Sequence, residues 1–206
     1  ANGGGVFVNR AKAYFNGTTL SGNEAKGNGG AIYGAGAALI ELNKGQISGN
    51  KAINGAGIYA TINTVKSGNT ETIYYSNVNV NDITISGNAA ATNGGGILLI
   101  GEQSTLTMAS GTISGNTAKN AGGILVQTGA TFNLKGGKIS ANNASVGGGG
   151  VYMSTAKLNM DGGSITGNAG KSNAGGMMLM RCQATIKGGT VSANTAESGA
   201  GIYISG

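Results

Sequence analysis

The side chains that could do acid–base chemistry are few, because the 206-residue chain has seven carboxylates, one cysteine and no histidine. The carboxylates are Glu24, Glu41, Glu71, Asp82, Glu102, Asp161 and Glu197. Hydrolysis of a glycosidic bond uses a pair of carboxyl groups that flank the bond, and a metal ion needs clustered Asp, Glu, His or Cys. These seven fall at different phases of the chain's repeat and form no obvious pair. The sequence therefore predicts no catalytic residue, no metal site and no cofactor.

The polar side chain that recurs most regularly is an asparagine in the phrase Ser/Thr-Gly/Ala-Asn. Steps of 27, 38, 28, 26, 26 and 26 residues separate its seven copies, Asn23, Asn50, Asn88, Asn116, Asn142, Asn168 and Asn194. Such a period is typical of repeat architectures, in which each unit buries its apolar side against its neighbours. Inward amides at a constant phase could bond one another and the backbone, which predicts a structural asparagine ladder. The alternative is a surface turn that tolerates asparagine.

Apolar residues keep constant distances from these asparagines. An Ile, Leu or Val lies three residues before each copy, and apolar residues lie eight and ten residues before it with mostly polar residues between them. This alternation is typical of a strand with one wet face. Another apolar run, such as Ile124–Val126, follows each asparagine after small residues. The pattern predicts an all-β, single-stranded parallel β-helix with three short strands and about 26 residues per coil and about seven or eight coils, so that residues 1–206 form one domain.

An α-helical solenoid is the competing fold, and it would need apolar residues at helical spacing and far fewer than 42 glycines. The 13 basic residues are scattered singly and give a net charge of +6, whereas a nucleic-acid site needs clustered Lys and Arg. No run of 18 apolar residues occurs, so we expect neither a nucleic-acid partner nor a membrane span. The missing initiator Met indicates a processed or excised piece.

The repeats resemble those of a known family. The segment Ile113-Ser114-Gly115-Asn116-Thr117-Ala118, followed by Gly122-Gly123-Ile124, resembles the Phe-x-x-Asn and Gly-Gly-Ala-Ile motifs of chlamydial polymorphic outer-membrane proteins. Similar repeats occur in adhesin-like surface proteins of bacteria and archaea. Leu, Ile or Val replaces the Phe in all seven copies here. The resemblance implies a right-handed parallel β-helix that is exported to the cell surface, as an adhesive passenger or a stalk.

A column of large apolar residues lies on the strand that follows each asparagine. It consists of Phe7, Tyr33, Tyr59, Leu98, Leu125, Tyr152, Met178 and Tyr203. Because these residues alternate with inward ones, we expect them to point outward and to form a patch larger than soluble monomers usually expose. We call this column the outer stripe. It is a candidate docking face for lateral self-association or for a ligand, and stacking of neighbouring coils without a partner is the alternative.

The 38-residue step contains an insertion at about residues 61–76. Two β-prone runs around Ser67-Gly68-Asn69 predict a projecting β-hairpin. Loops on a rigid scaffold often carry recognition, and an insertion that is merely tolerated is the alternative. The candidate contact residues of this loop are Ile62, Val65, Ile73, Tyr74 and Tyr75.

These features together predict an extracellular, non-enzymatic structural protein at the cell surface. We expect a rigid β-solenoid rod that is the subunit of a self-assembling surface filament or the stalk of an adhesin. Its expected partners are copies of itself, joined end to end or laterally, or a cell-surface glycan ligand. A glycan- or ice-binding module is the alternative. A polysaccharide lyase or hydrolase ranks lower, because parallel β-helices include such enzymes but this chain has no histidine.

Overall fold

Short strands separated by glycine-rich corners wind around one axis in the computed structural model, which describes residues 2–206. Each coil contributes one strand to an eight-stranded parallel sheet, sheet 1, so the described chain makes eight coils. The strands of sheet 1 are β1 (Val6–Asn9), β3 (Ile32–Ala35), β6 (Ile58–Thr61), β12 (Ile97–Ile100), β16 (Ile124–Gln127), β20 (Val151–Ser154), β24 (Met177–Met180) and β27 (Ile202–Ser205).

Sheet 2 holds the strands that precede the repeated asparagine. Its members are β2 (Lys12–Ser21), β4 (Leu39–Ser48), β9 (Asn77–Asn81), β10 (Thr84–Ser86), β13 (Thr105–Met108), β14 (Thr112–Ser114), β17 (Thr131–Leu134), β18 (Lys138–Ser140), β21 (Lys157–Met160), β22 (Ser164–Thr166), β25 (Gln183–Ile186) and β26 (Thr190–Ser192). In the first two coils one long strand runs through this region, and in later coils a corner divides it into two short strands. Sheet 2 therefore bends into two wings that share β4.

A third sheet and a hairpin complete the fold. Sheet 3 follows the repeated asparagine and consists of β5 (Lys51–Asn54), β11 (Ala89–Asn93), β15 (Thr117–Ala118), β19 (Asn143–Ala144) and β23 (Ala169–Gly170). The strands β7 (Asn63–Ser67) and β8 (Thr70–Tyr74) pair antiparallel and form the hairpin. Sheet 3 gives five coils a fourth short strand that the sequence pattern did not predict.

The core fills the axis because equivalent residues of successive coils pair directly. Ile97, for example, pairs with Ile58 on one side and with Ile124 on the other. The isoleucines three residues before the asparagines, Ile47, Ile85, Ile113, Ile139 and Ile165, are each at most 1% exposed. Burial of such a side chain contributes roughly 1.5–3 kcal/mol. The predicted all-β, parallel β-helix with about 26 residues per coil is confirmed.

Candidate functional site

The residue before each repeated asparagine bends the chain sharply. Its φ lies between +52° and +66° in all seven copies, five of which have Gly there and two Ala, at Ala141 and Ala193. Glycine adopts this left-handed conformation without steric cost. The corner interrupts the inside–outside alternation of the strand, so the asparagine that follows it points toward the axis, as does the isoleucine three residues earlier. We call the resulting column the inner ladder.

Every hydrogen-bonding position of an interior ladder amide is used. The Nδ2 group of Asn116 donates to Oδ1 of Asn142 at 3.0 Å and to the carbonyl oxygen of Ile85 at 3.0 Å. Its Oδ1 accepts from the backbone N–H of Asn88 at 2.9 Å and from Nδ2 of Asn88 at 2.9 Å. An amide has two N–H donors and two acceptor lone pairs, so nothing on Asn116 is left unpaired in its dry corner.

The structure places all seven predicted ladder asparagines in this column. Asn23 is half-buried, Asn194 is 9% exposed, and Asn50, Asn88, Asn116, Asn142 and Asn168 are fully buried. Each of the six steps carries the same pair of bonds to the next Oδ1, one from the backbone N–H and one from Nδ2. Every buried side-chain nitrogen and oxygen within residues 2–206 has a hydrogen-bond partner.

A second asparagine column, which the sequence reasoning missed, lies near the surface. We call it the outer ladder, and it consists of Asn2, Asn28, Asn54, Asn93 and Asn120. The backbone N–H of Asn28 donates to Oδ1 of Asn2, and from Asn54 onward each Nδ2 donates to Oδ1 of the preceding coil at 2.8 to 2.9 Å. The side chains from Asn28 to Asn120 in this ladder are half-buried. The signal was available in the sequence, because an asparagine recurs four or five residues after five of the inner-ladder positions, and four of these five asparagines belong to the outer ladder.

The outer stripe begins as an aromatic stack. The ring centroids of Phe7 and Tyr33 are 5.3 Å apart at an interplanar angle of 38°, and those of Tyr33 and Tyr59 are 5.2 Å apart at 9°. Burial raises the pKa of the Tyr33 phenol. Burial, followed by the charge of Tyr33, raises the pKa of Tyr59. The tyrosine rings thus cover one another's faces and turn mainly their edges to the solvent.

The expectation of a continuously exposed stripe is wrong at three of its eight positions. The buried members are Leu98 at 1%, Leu125 at 1% and Met178 at 8% exposure. The two leucines pack with Ala121, and the rings of Tyr59 and Tyr152 flank them. The stripe is therefore open at Phe7, which is 58% exposed, half-buried at its tyrosines, and closed over its middle coils. Self-stacking of neighbouring coils accounts for its packing.

The insertion forms a two-stranded hairpin whose tip is Gly68 and Asn69. Of the candidate loop residues, Ile62 and Val65 are half-buried, and Ile62 packs against Gly101. Ile73 is 40% exposed and Tyr75 is 43% exposed. The guanidinium carbon of Arg10 lies 4.8 Å from the ring centroid of Tyr74, a cation–π contact that ties the hairpin to the first coil.

Two cavities flank this hairpin. One of about 420 Å³ lies between Phe7, Tyr33 and Ile62, with Asn2, Asn9 and Asn63 among its lining residues. The other, of about 380 Å³, lies between β8 and the corner that leads into β4, and its lining includes Lys12, Leu39, Ile73 and Tyr75. Both volumes are within the range of small-molecule sites. The insertion therefore lines two cavities on the surface of the rod.

The groups that could do acid–base or nucleophilic chemistry are dispersed. Within residues 2–206 no three His, Cys, Asp or Glu side chains come together in a way that could hold a metal ion. Glu41 accepts a hydrogen bond from Nδ2 of Asn79 at 2.7 Å. Burial raises the pKa of the Cys182 thiol, and its sulfur donates to the carbonyl oxygen of Met180. No helix of the described residues is long and apolar enough to cross a membrane.

The fold can be compared with known proteins. A family model described as a right handed beta helix region matches residues 72–206, which is more than half of the chain. No curated protein and no solved structure gives a significant match. β-Helix folds occur both in pectate lyase-like enzymes and in proteins without catalytic activity, and they are often found in surface or extracellular proteins. The extent of this match and the coil-by-coil strand pairing place the chain in the right-handed β-helix family.

Proposed function

We propose that this chain is a rigid structural rod of a cell-surface or extracellular protein, either the stalk of an adhesin or the subunit of a surface filament. The observation that carries the proposal is the inner ladder. It joins Asn23 to Asn194 through six consecutive steps, each with the same pair of hydrogen bonds along the rod.

The proposed stiffness follows from the direction of the bonds. In a stack of parallel strands the backbone hydrogen bonds run from coil to coil, so bending the rod must stretch them on one side. Sheets 1 and 2 provide such bonds on different sides of the axis, and the inner ladder adds side-chain bonds at the corner. Eight coils at about 4.8 Å each give a rod about 38 Å long. A spacer of constant cross-section is the role that this arrangement suits.

The resemblance of the repeats and the net charge of the chain support the proposed location and partners. The repeats resemble those of chlamydial and adhesin-like surface proteins, and the chain carries a mild net charge of +6. A rod in that setting would contact copies of itself or the glycans of a cell surface. The dispersed carboxylates favour a structural over a catalytic role, because glycosidic chemistry uses a carboxylate pair.

Electron microscopy of the purified chain over a range of concentrations tests this proposal. Stiff rods about 38 Å long at every concentration are expected of a stalk, and fibres that lengthen with concentration are expected of a filament subunit. Globular or bent particles would overturn the rod. In parallel, the chain is incubated with uronic-acid polymers, and release of unsaturated or shortened oligosaccharides would overturn the non-catalytic role.

A further inference from the structure

The corner between sheets 1 and 2 recurs along the rod. A corner without an insertion, which we call the bare corner, can therefore be compared with the corner beside the hairpin. Arg10 and Arg181 occupy the same corner position, 13 residues before Asn23 and Asn194, with φ values of 51° and 50°. The bare corner near Arg181 forms a cavity of about 260 Å³ that includes Lys157 and has no aromatic side chain. The corner beside the hairpin encloses about 380 Å³. The cavity beside the hairpin is therefore the larger of the two and has aromatic side chains in its wall.

The hairpin supplies the apolar wall of this cavity. Ile73 and Tyr75 line the cavity and are 40% and 43% exposed. Exposure of large apolar side chains to water is unfavourable, and a bound ligand would cover them. Leu39 lies on the opposite side. The position of the wall is set, because Tyr74 is held under the Arg10 guanidinium at 4.8 Å. A ligand with a flat apolar face of about one ring would fit between these residues.

The other lining groups are hydrogen-bond donors and a cation. Lys12 is exposed, and the salt bridge found among residues 2–206 joins Lys66 to Glu71 instead. The Oδ1 atom of Asn77 accepts from Thr105 at 2.7 and 3.1 Å, which fixes its amide and leaves Nδ2 as a donor. Lys12, Leu39 and Asn77 stand in one column of sheet 2, on successive strands. A cation and an amide donor on either side of an apolar residue favour an anion attached to an apolar ring.

We propose that this cavity binds the carboxylate-bearing sugar ring of an acidic glycan. The carboxylate would pair with the Lys12 ammonium and accept from Asn77 Nδ2, because charge-assisted bonds of this kind are the stronger ones. The C–H face of the sugar would lie on Tyr75 and Ile73, since the π face of an aromatic ring is negative and C–H groups are weakly positive. This goes beyond the rod itself, which needs no ligand. Uronic acids and sialic acids share the required chemistry.

Calorimetric titration of the whole chain with trigalacturonate and with sialyllactose tests the site. It also shows whether the site binds a uronic acid or a sialic acid. The uncharged controls are the methyl ester of trigalacturonate and lactose. Binding of either acid, with loss of binding for its uncharged control, is expected. Binding that an oligoglutamate peptide reproduces would overturn the choice of a sugar, and the absence of any saturable binding of both acids at millimolar concentration would overturn the site.

A matched pair of lysine variants tests the position of the site. Lys12 and Lys157 both lie 11 residues before their ladder asparagine, but only Lys12 is beside the hairpin. We expect Lys12→Gln to weaken binding of the acid about tenfold, because one charge-assisted hydrogen bond is lost, and Lys157→Gln to leave it unchanged. Tyr75→Ser should also weaken binding of the acid. Equal losses for the two lysine variants would mean nonspecific attraction to a basic rod and would overturn the site while leaving the rod intact.

Discussion

The inner and outer ladders use the same side chain and the same bond, yet their surroundings differ. The Nδ2–Oδ1 distances lie between 2.8 and 3.0 Å in both. The inner amides from Asn50 to Asn168 are fully buried, and the outer ones are half-buried. An inner amide also bonds the backbone of the neighbouring coil, which the outer amides from Asn54 onward do not do. Geometry alone therefore does not distinguish the two columns, whereas burial and backbone contacts do.

The corner at the inner ladder and the corner at the outer ladder also depend on different residues. At the inner ladder the asparagine bridges a break in the backbone pairing, since Asn88 N–H donates to a side-chain oxygen rather than to a carbonyl. The residue before it has open space, because a Cβ at Gly115 would meet nothing closer than 3.9 Å. At the outer ladder the residue after the asparagine is crowded, because a Cβ at Gly55 would lie 2.5 Å from the Ile58 carbonyl oxygen. We infer that the inner corner needs its amide, and that the outer corner needs a glycine where it is as crowded as at Gly55.

The largest expected effect is that of Asn116→Ala. The substitution leaves two N–H donors of Asn88 unpaired inside a corner that excludes water, and it removes one hydrogen bond to the Ile85 carbonyl oxygen. A buried unpaired group costs about 1–3 kcal/mol, and some relaxation is available, so we expect the free energy of unfolding to fall by about 3 kcal/mol. Urea denaturation followed by circular dichroism measures this change through the midpoint at constant slope.

Asn120→Ala is the matched control, because Asn120 donates a single ladder bond to Asn93 near the surface. Its midpoint should stay close to that of the unmodified chain. If both variants melted at the same denaturant concentration, the inner ladder would not be the structural element that we take it to be.

Most of the fold could be predicted from the sequence, because a solenoid repeats its local environment. The isoleucine three residues before each of the five central asparagines has the same kind of neighbour on both sides, so its burial follows from the periodic pattern alone. The hairpin could be located because its strands interrupt the period. The fourth strand was not predictable, since segments as short as Thr117–Ala118 carry no alternation to detect.

The site could be predicted only in part. The outer ladder was readable from spacing, but the burial of Leu98 and Leu125 was not, because it depends on how the neighbouring tyrosine rings lean over them. The cavity beside Lys12 depends on the angle at which the hairpin leaves the rod. The hairpin is held there by the contact between Arg10 and Tyr74, which are 64 residues apart in the sequence, and Tyr74 belongs to the insertion and to no repeated column.

An intermediate effect is expected of Gly55→Ala. Its φ of +58° strains an alanine, and the added Cβ would also press on the Ile58 carbonyl oxygen and on Tyr59. We expect a loss of about 2 kcal/mol, which combines the left-handed conformation with overpacking. Gly115→Ala has a φ of +62° but open space, so only the strain applies and the loss should be about 1 kcal/mol. Thermal melting of the two variants side by side gives the order, and a larger loss at Gly115 would reverse our assignment of the two corners.

Apart from the Asn120→Ala control, the smallest expected effect is that of Asn54→Ala, in the middle of the outer ladder. It removes two side-chain hydrogen bonds, one to Asn28 and one from Asn93, whereas Asn116→Ala removes four. Water can reach the partners that it leaves behind, so the free energy of unfolding should fall by only about 0.5 kcal/mol. Urea denaturation of Asn54→Ala beside Asn116→Ala therefore separates the number of bonds from their burial. A loss at Asn116 that is only about twice the loss at Asn54 would mean that bond count governs the stability of the rod, and the expected ratio of about six would mean that exclusion of water does.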